Sequence, residues 1–183
     1  MKIIVNISRI LVGLLFIFSG FIKANDPLGF SYKLEEYFEV FGTTFLVPMS
    51  LFLAIFMCVL EMVLGFALLI GSRIKSTLWL LLLLIIFFGF LTFYSAYYDA
   101  VKTCGCFGDA IPLTPWQSFG KDMGLLLLVL VLFAGKSHIT PLLGTKLDSF
   151  VMIAISIVSI SFPLYTFNYL NIEAETTTGA SLD

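Results

Sequence analysis

The chain has 183 residues, of which 60% are hydrophobic and 12% are charged, and its formal net charge is −2. A soluble domain carries about twice that share of charged residues, so the composition excludes a water-soluble globular protein. No basic run of the kind that binds nucleic acid is present, and three cysteines are too few for a disulfide scaffold.

Five apolar segments are long enough to cross a bilayer, which takes about 20 residues per helix. We therefore predict an all-α integral membrane protein. The spans are predicted at residues 4–23, 47–70, 76–98, 116–134 and 147–170. The first has no small-residue cleavage pattern after it, so we interpret it as a retained helix rather than a signal peptide. Pro163 predicts a kink or an early end in the fifth.

Two charged segments are too polar to span. Residues 26–42 mix aromatic with charged side chains, which favours a short helix lying on the outer membrane interface over a simple linker. The polar segment from Glu173 to Asp183 is predicted to be disordered.

Glu61 lies near the middle of the second predicted span, where a carboxylate is costly and indicates function by default. Together with Ala54, Cys58 and Gly65 it forms a stripe of small and polar residues at helical spacing. Such a stripe is typical of a face that contacts other helices. Glu61 is predicted either to be neutral or to pair with a polar group of the first or fourth span. A purely structural, hydrogen-bonded role is the alternative to a functional one.

Two cysteines separated by one residue, Cys104 and Cys106, lie in a polar stretch between the third and fourth spans. Such a pair either forms a small strained disulfide or shares a metal ion. Strained, exposed disulfides are the ones that exchange, and nearby Asp109 is a candidate proton acceptor. A zinc site takes about four ligands. Besides these thiols the chain offers only His138, on the other side of the membrane in the predicted topology, so we predict no metal.

The fourth span is predicted to begin with a capping box, in which Thr114 is the N-cap, Pro115 the first helical residue and Gln117 the third. The cysteines thus precede a helix N-terminus, whose positive end favours the reactive thiolate. Lys121 and Asp122 lie about 10 Å below the helix start. Since adjacent residues point to different faces, at least one of them is predicted to face the bundle interior.

Lysine and arginine are more frequent on one side of the predicted spans, which indicates the cytoplasmic side. With the N-terminus inside, the inner side has Lys2, Arg9, Arg73, Lys75, Lys136 and Lys146, and the outer side has Lys23, Lys33, Lys102 and Lys121. We therefore predict an N-in, C-out orientation. The cysteine pair is then extracytoplasmic, where disulfides persist.

Three segments resemble the DoxX superfamily. Residues 9–23 resemble its first helix, which contains glycine and ends in lysine, and residues 59–65 resemble its second helix. The sequence Cys-Gly-Cys-Phe-Gly-Asp at residues 104–109 resembles the signature of the MauE-like branch, which is associated with disulfide formation during maturation of exported proteins. The branch is similar in outline to vitamin K epoxide reductase, a four-helix bundle in which a cysteine pair faces a quinone.

This resemblance implies a DoxX/MauE-like four-helix domain at residues 1–135 of a bacterial inner-membrane protein. The predicted topology adds a cytoplasmic loop and fifth span at 136–170 and a polar extracytoplasmic tail at 171–183. The resemblance also implies a thiol–disulfide oxidoreductase whose cysteine pair exchanges with an extracytoplasmic thioredoxin-like or other envelope protein. Asp122 or Glu61 would handle protons. A quinone is the candidate cofactor, and its candidate contacts are Lys23, Glu61, Trp116 and Lys121.

Two other functions remain open at this point. A structural subunit that assembles a cell-envelope complex would use the cysteine pair only to staple a loop. A small-solute transporter would use Glu61, but the sequence lacks the broken-helix repeats expected of one. Membrane lipid is a partner in every case, whereas the sequence does not indicate the oligomeric state.

Overall fold

The computed structural model describes residues 2–98 and 114–179, with side chains through residue 169. In these ranges the chain forms α-helices and short 3₁₀ helices, without a strand. The α-helices are α1 (Lys2–Asn25), α2 (Pro27–Val40), α3 (Ser50–Ile70), α4 (Ile74–Tyr98), α5 (Pro115–Ala134) and α6 (Thr145–Gly179). The 3₁₀ helices are Thr44–Met49 and Lys136–His138.

Five helical segments are long and apolar enough to cross a membrane: α1, Thr44–Ile70, α4, α5 and the part of α6 from Thr145 to Tyr169. They coincide with the predicted spans to within three residues at each end. The predicted all-α membrane fold is therefore confirmed.

Glycines hold α1 and α3 close together. A Cβ on Gly65 would lie 2.7 Å from the carbonyl oxygen of Gly13, and one on Gly20 would lie 2.9 Å from that of Cys58. Because neither backbone can retreat without separating the helices, only glycine fits at these crossings. The predicted stripe on α3 is confirmed, since Ala54, Cys58, Glu61 and Gly65 are all buried.

The helix predicted at residues 26–42 is α2, and Asp26 caps it by accepting a hydrogen bond from the Gly29 amide at 2.8 Å. Phe30 and Leu34 pack with residues of α1 and α3. Tyr37 reaches α4, where its hydroxyl lies 2.8 Å from the Ser95 hydroxyl. The apolar face of α2 therefore covers the protein core, and the alternative of a simple linker is wrong.

Arg9, near the start of α1, binds the C-terminal end of α3. Its guanidinium donates to the carbonyl oxygens of Leu68 at 2.8 Å, Leu69 at 2.7 Å and Thr140 at 3.3 Å. The first two belong to the last turn of α3, whose carbonyls have no partner within the helix. Arg9, counted above among the charges of the predicted inner side, is thus buried and caps α3.

The fifth span, α6, is the least buried of the five. The expected early end at Pro163 is wrong, because the helix continues to Gly179, and so is the disorder expected from Glu173 through that residue. Near Pro163 the hydroxyl of Thr166 donates to the carbonyl of Ala24 at 2.7 Å. The rings of Phe21 and Phe162 stack with centroids 4.8 Å apart, so α6 is held on α1.

Candidate functional site

Lys23 and Glu61 form an ion pair in the interior of the bundle. The Lys23 ammonium contacts Oε1 of Glu61, and both side chains are almost completely buried. The same ammonium lies 4.5 Å from the ring centroid of Phe88 and 5.1 Å from that of Phe30, within cation–π range. The prediction that Glu61 pairs with a polar group of the first span is confirmed.

A second ion pair lies on α5. Lys121 Nζ is 3.1 Å from Oδ1 of Asp122, and Oδ2 of Asp122 accepts a hydrogen bond from the Thr92 hydroxyl of α4 at 3.0 Å. Asp122 is buried, whereas Lys121 is partly exposed. The prediction that at least one of the two faces the interior is confirmed. The premise that they must point apart is wrong, since the long Lys121 side chain returns to its neighbour.

Both ion pairs line one cavity, which we call the charged cavity and define by Lys23, Glu61, Lys121 and Asp122. Its other walls are mainly apolar and include Phe16, Ile85, Phe88 and Leu125. The cavity has a volume of about 30 Å³. That space holds one or two water molecules, whereas small-molecule pockets occupy about 300–1,000 Å³. A quinone ring therefore does not fit in the charged cavity.

Glu61 presents an unused acceptor. Its Oε2 atom is buried and has no hydrogen-bond partner among the described residues. A buried carboxylate oxygen without a partner is costly, and a polar cavity of this size normally holds water that satisfies such a group. The charged cavity is thus chemically suited to water and to proton transfer between carboxylates.

The inward face of α5 connects this cavity with the helix N-terminus. The predicted capping box is confirmed, since Thr114 Oγ1 accepts from the Gln117 amide at 3.4 Å and Gln117 Oε1 accepts from the Thr114 amide at 3.0 Å. Ser118 lies one turn before Asp122 on the same face. Its hydroxyl is buried and has no partner in the described part of the chain. Ser118 therefore lies between the helix start and the ion pairs.

The remaining predicted site residues are distributed as follows. Trp116 is exposed and packs edge-on against Phe119, whereas Lys23 and Lys121 line the charged cavity. The predicted contacts of these residues with a quinone stay a prediction. Lys23, counted above among the charges of the outer side, is buried in the bundle. Cys104, Cys106 and Asp109 lie outside the described residues.

Sequence reasoning missed the buried hydroxyls around the ion pairs. Thr92 and Ser95 on α4 and Ser118 on α5 are all buried. The available signal was their spacing, because Thr92 and Ser95 are three residues apart within an apolar span and Ser118 is four before Asp122. Helical neighbours at these separations share a face, so the polar faces of α4 and α5 were predictable in principle.

Comparison with protein families identifies a relative for most of the chain. Residues 1–135 match the family model described as methylamine utilisation protein MauE. That range holds α1 to α5 and every residue of the charged cavity. No curated protein and no solved structure matches the chain. Together with the five spans, the match identifies a multi-pass membrane protein.

Proposed function

The chain belongs to the MauE family, and on this premise we propose that it is a membrane-embedded thiol–disulfide redox protein of the DoxX superfamily. Cys104 and Cys106 form its exchanging pair, within the Cys-Gly-Cys-Phe-Gly-Asp signature of residues 104–109. The observation that carries the proposal is the charged cavity. It contains two buried carboxylates in an otherwise apolar bundle, and one of them, Asp122, lies on α5, the helix that follows the cysteines in the sequence.

The exchange with a partner dithiol takes two steps. A partner thiolate attacks one sulfur of the Cys104–Cys106 disulfide, so a mixed disulfide forms and the other cysteine leaves as a thiolate. The second partner thiol then attacks the mixed disulfide and releases the first cysteine. The partner loses two electrons and two protons, and the cysteine pair gains them. Both steps are reversible, so the same chemistry runs in either direction with a thioredoxin-like or other envelope protein.

The charged cavity is proposed to take up and release the protons of this exchange. Asp122 and Glu61 each line the cavity beside a lysine, and Oε2 of Glu61 has no hydrogen-bond partner among the described residues. Ser118 lies on the path from the α5 N-terminus to Asp122. A quinone as the final electron acceptor stays a prediction. Because the charged cavity does not hold a quinone ring, no electron step is assigned to it.

We propose the N-in, C-out orientation in a bacterial inner membrane. One end of the bundle carries exposed basic residues, at the start of α1, between α3 and α4, and around the start of α6, namely Lys2, Arg73, Lys75, Lys136 and Lys146. At the other end Lys33 is paired with Glu36 at 3.1 Å, and Lys23 is buried. The exposed lysine and arginine residues at the first end support that end as cytoplasmic.

The test uses the full chain in its native membrane. In Cys106→Ser, the thiol of Cys104 attacks a partner disulfide, one partner cysteine leaves as a thiolate, and the mixed disulfide accumulates because Cys106 is no longer present to resolve it. We expect a covalent complex on a non-reducing gel that dithiothreitol releases. Cys58→Ser is the matched control, because Cys58 is completely buried in α3, and we expect it to leave exchange intact.

The rival function is a structural subunit of an envelope complex in which the cysteine pair only staples a loop. It predicts a partner that co-purifies regardless of redox state, no mixed disulfide in Cys106→Ser or Cys104→Ser, and full complementation by both variants. That combination would disprove the exchange role. The resting state of Cys104 and Cys106, measured by differential alkylation with and without quinone depletion, tests the predicted electron acceptor separately.

A further inference from the structure

A groove of about 500 Å³ runs between α3, α4 and α6. It begins at the end of the bundle where α3 ends and α4 and α6 begin, away from the charged cavity. Below this polar end its walls are apolar and include Leu64, Leu80, Ile153 and Ile160. The volume lies in the range of small-molecule pockets. Since α6 is the least buried span, one side of the groove faces the surrounding lipid.

The length of the groove corresponds to one leaflet. Its α6 wall extends from Asp148 to Ile160, which spans about 18 Å at 1.5 Å per residue. Half of the hydrocarbon core of a bilayer measures about 15 Å. An acyl chain that enters at the headgroup level therefore runs along the whole groove and ends near the midplane.

Two of the residues that line the groove are charged, Arg73 and Asp148. Arg73 is exposed and forms no ion pair with the described residues. Asp148 Oδ2 accepts from the Ser72 hydroxyl at 2.8 Å, whereas Asp148 Oδ1 is buried and has no hydrogen-bond partner among the described residues. A phosphate complements the Arg73 guanidinium, and an N–H donor of a headgroup complements the Asp148 carboxylate, which lines the groove.

We propose that this groove binds a phospholipid with a primary ammonium headgroup, such as phosphatidylethanolamine. One acyl chain lies along α6, the phosphate contacts Arg73, and the ammonium donates to the Asp148 carboxylate. A choline headgroup has the same charges but no N–H donor, so it cannot form this hydrogen bond. A glycerol headgroup brings net negative charge beside the Asp148 carboxylate.

The first experiment compares lipids on the unmodified full chain. Delipidated protein is titrated with phosphatidylethanolamine, phosphatidylcholine and phosphatidylglycerol of identical acyl chains, and bound lipid is counted by native mass spectrometry. We expect phosphatidylethanolamine to bind about tenfold more tightly than phosphatidylcholine, as loss of one charged hydrogen bond predicts. Equal binding of the two would overturn the headgroup assignment.

The second experiment uses matched serines on α6. Ser156 lines the groove and Ser161 is exposed, and each donates to the carbonyl four residues earlier at 2.8 Å. We expect Ser156→Phe to lose bound lipid and Ser161→Phe to retain it, while Asp148→Asn abolishes the preference for phosphatidylethanolamine. Arg73→Gln is expected to lose bound lipid, and Lys75→Gln, whose residue does not line the groove, is expected to retain it. If both phenylalanine variants retain lipid equally, the proposal is wrong.

Discussion

Lys23 near the end of α1 and Glu61 in the middle of α3 are 38 positions apart in the sequence and form a buried ion pair. Neither charge is tolerated alone among apolar helices, because a buried unpaired ion costs several kcal/mol. The pair is held by close packing of α1 on α3, which brings the two backbones together at Gly20 and Cys58. The glycine stripe and the ion pair are thus parts of one interface.

This interdependence predicts non-additive losses of stability. Lys23→Met and Glu61→Leu each leave one buried charge without its partner, so each is expected to lower the free energy of unfolding by about 3–5 kcal/mol. The double variant removes both charges and is expected to lose less than the sum of the two. Denaturant unfolding in detergent micelles measures all three variants.

The exposed pair on α2 is the matched control for this prediction. Lys33 and Glu36 are 3.1 Å apart and are both partly solvent-exposed. A surface pair contributes about 0–1 kcal/mol, so Lys33→Met is expected to leave the free energy of unfolding nearly unchanged. Additive losses in the Lys23 and Glu61 double variant would contradict the energetic coupling between these two residues.

The crossing of α1 and α3 predicts a contrast between two helical glycines. A Cβ on Gly65 would lie 2.7 Å from the Gly13 carbonyl oxygen and 3.0 Å from the Ile17 amide nitrogen, whereas one on Gly124 of α5 meets nothing within 4 Å. Gly65→Ala is therefore expected to cost about 1–3 kcal/mol through overpacking. Gly124→Ala is expected to be neutral or to stabilise α5 by up to about 1 kcal/mol.

Thermal unfolding of both alanine variants checks the contrast, and it also tests the coupling to the ion pair. If the helices separate, Lys23 loses its contact with Glu61. In a Gly65→Ala background, Lys23→Met is therefore expected to lower the free energy of unfolding by less than it does in the unmodified chain. Equal stability of Gly65→Ala and Gly124→Ala would show that the α1–α3 crossing relaxes without cost.

The sequence was sufficient for the parts of the fold that depend on local patterns. Long apolar runs located all five spans, and residues three apart located the capping box at Thr114 and Gln117. The inward direction of Glu61 followed from its small neighbours on the same face. These features are local because helical periodicity and capping depend on residues within one or two turns.

Long-range features required the structure. Lys23 and Arg9 both resemble the flanking charges of a span, yet one joins Glu61 and the other caps the end of α3. A positive charge near a helix end is equally compatible with a loop or with the interior until the helix packing is known. The volume of the charged cavity likewise depends on how α1, α3, α4 and α5 pack together, and therefore no local pattern predicts whether that cavity admits a quinone ring.

The buried hydroxyls on α4 and α5 predict a separation of stability from function. Ser118 has no hydrogen-bond partner among the described residues, whereas Thr92 donates to Asp122 at 3.0 Å. Ser118→Ala removes an unsatisfied polar group, so the free energy of unfolding is expected to stay unchanged or to rise by about 1 kcal/mol. Thr92→Val removes the donor and leaves a buried carboxylate oxygen without it, so it is expected to cost about 1–3 kcal/mol.

The rate of thiol–disulfide exchange distinguishes a role of the Ser118 hydroxyl in proton transfer from a structural role. If Ser118 carries protons between the α5 N-terminus and Asp122, Ser118→Ala slows thiol–disulfide exchange in full-length protein although it does not destabilise it. Stopped-flow exchange with a dithiol, followed beside denaturant unfolding, measures both quantities on the same sample. A Ser118→Ala variant that unfolds more easily and exchanges at the normal rate would assign the hydroxyl a structural contact instead, and proton transfer to Asp122 would then follow a route without Ser118.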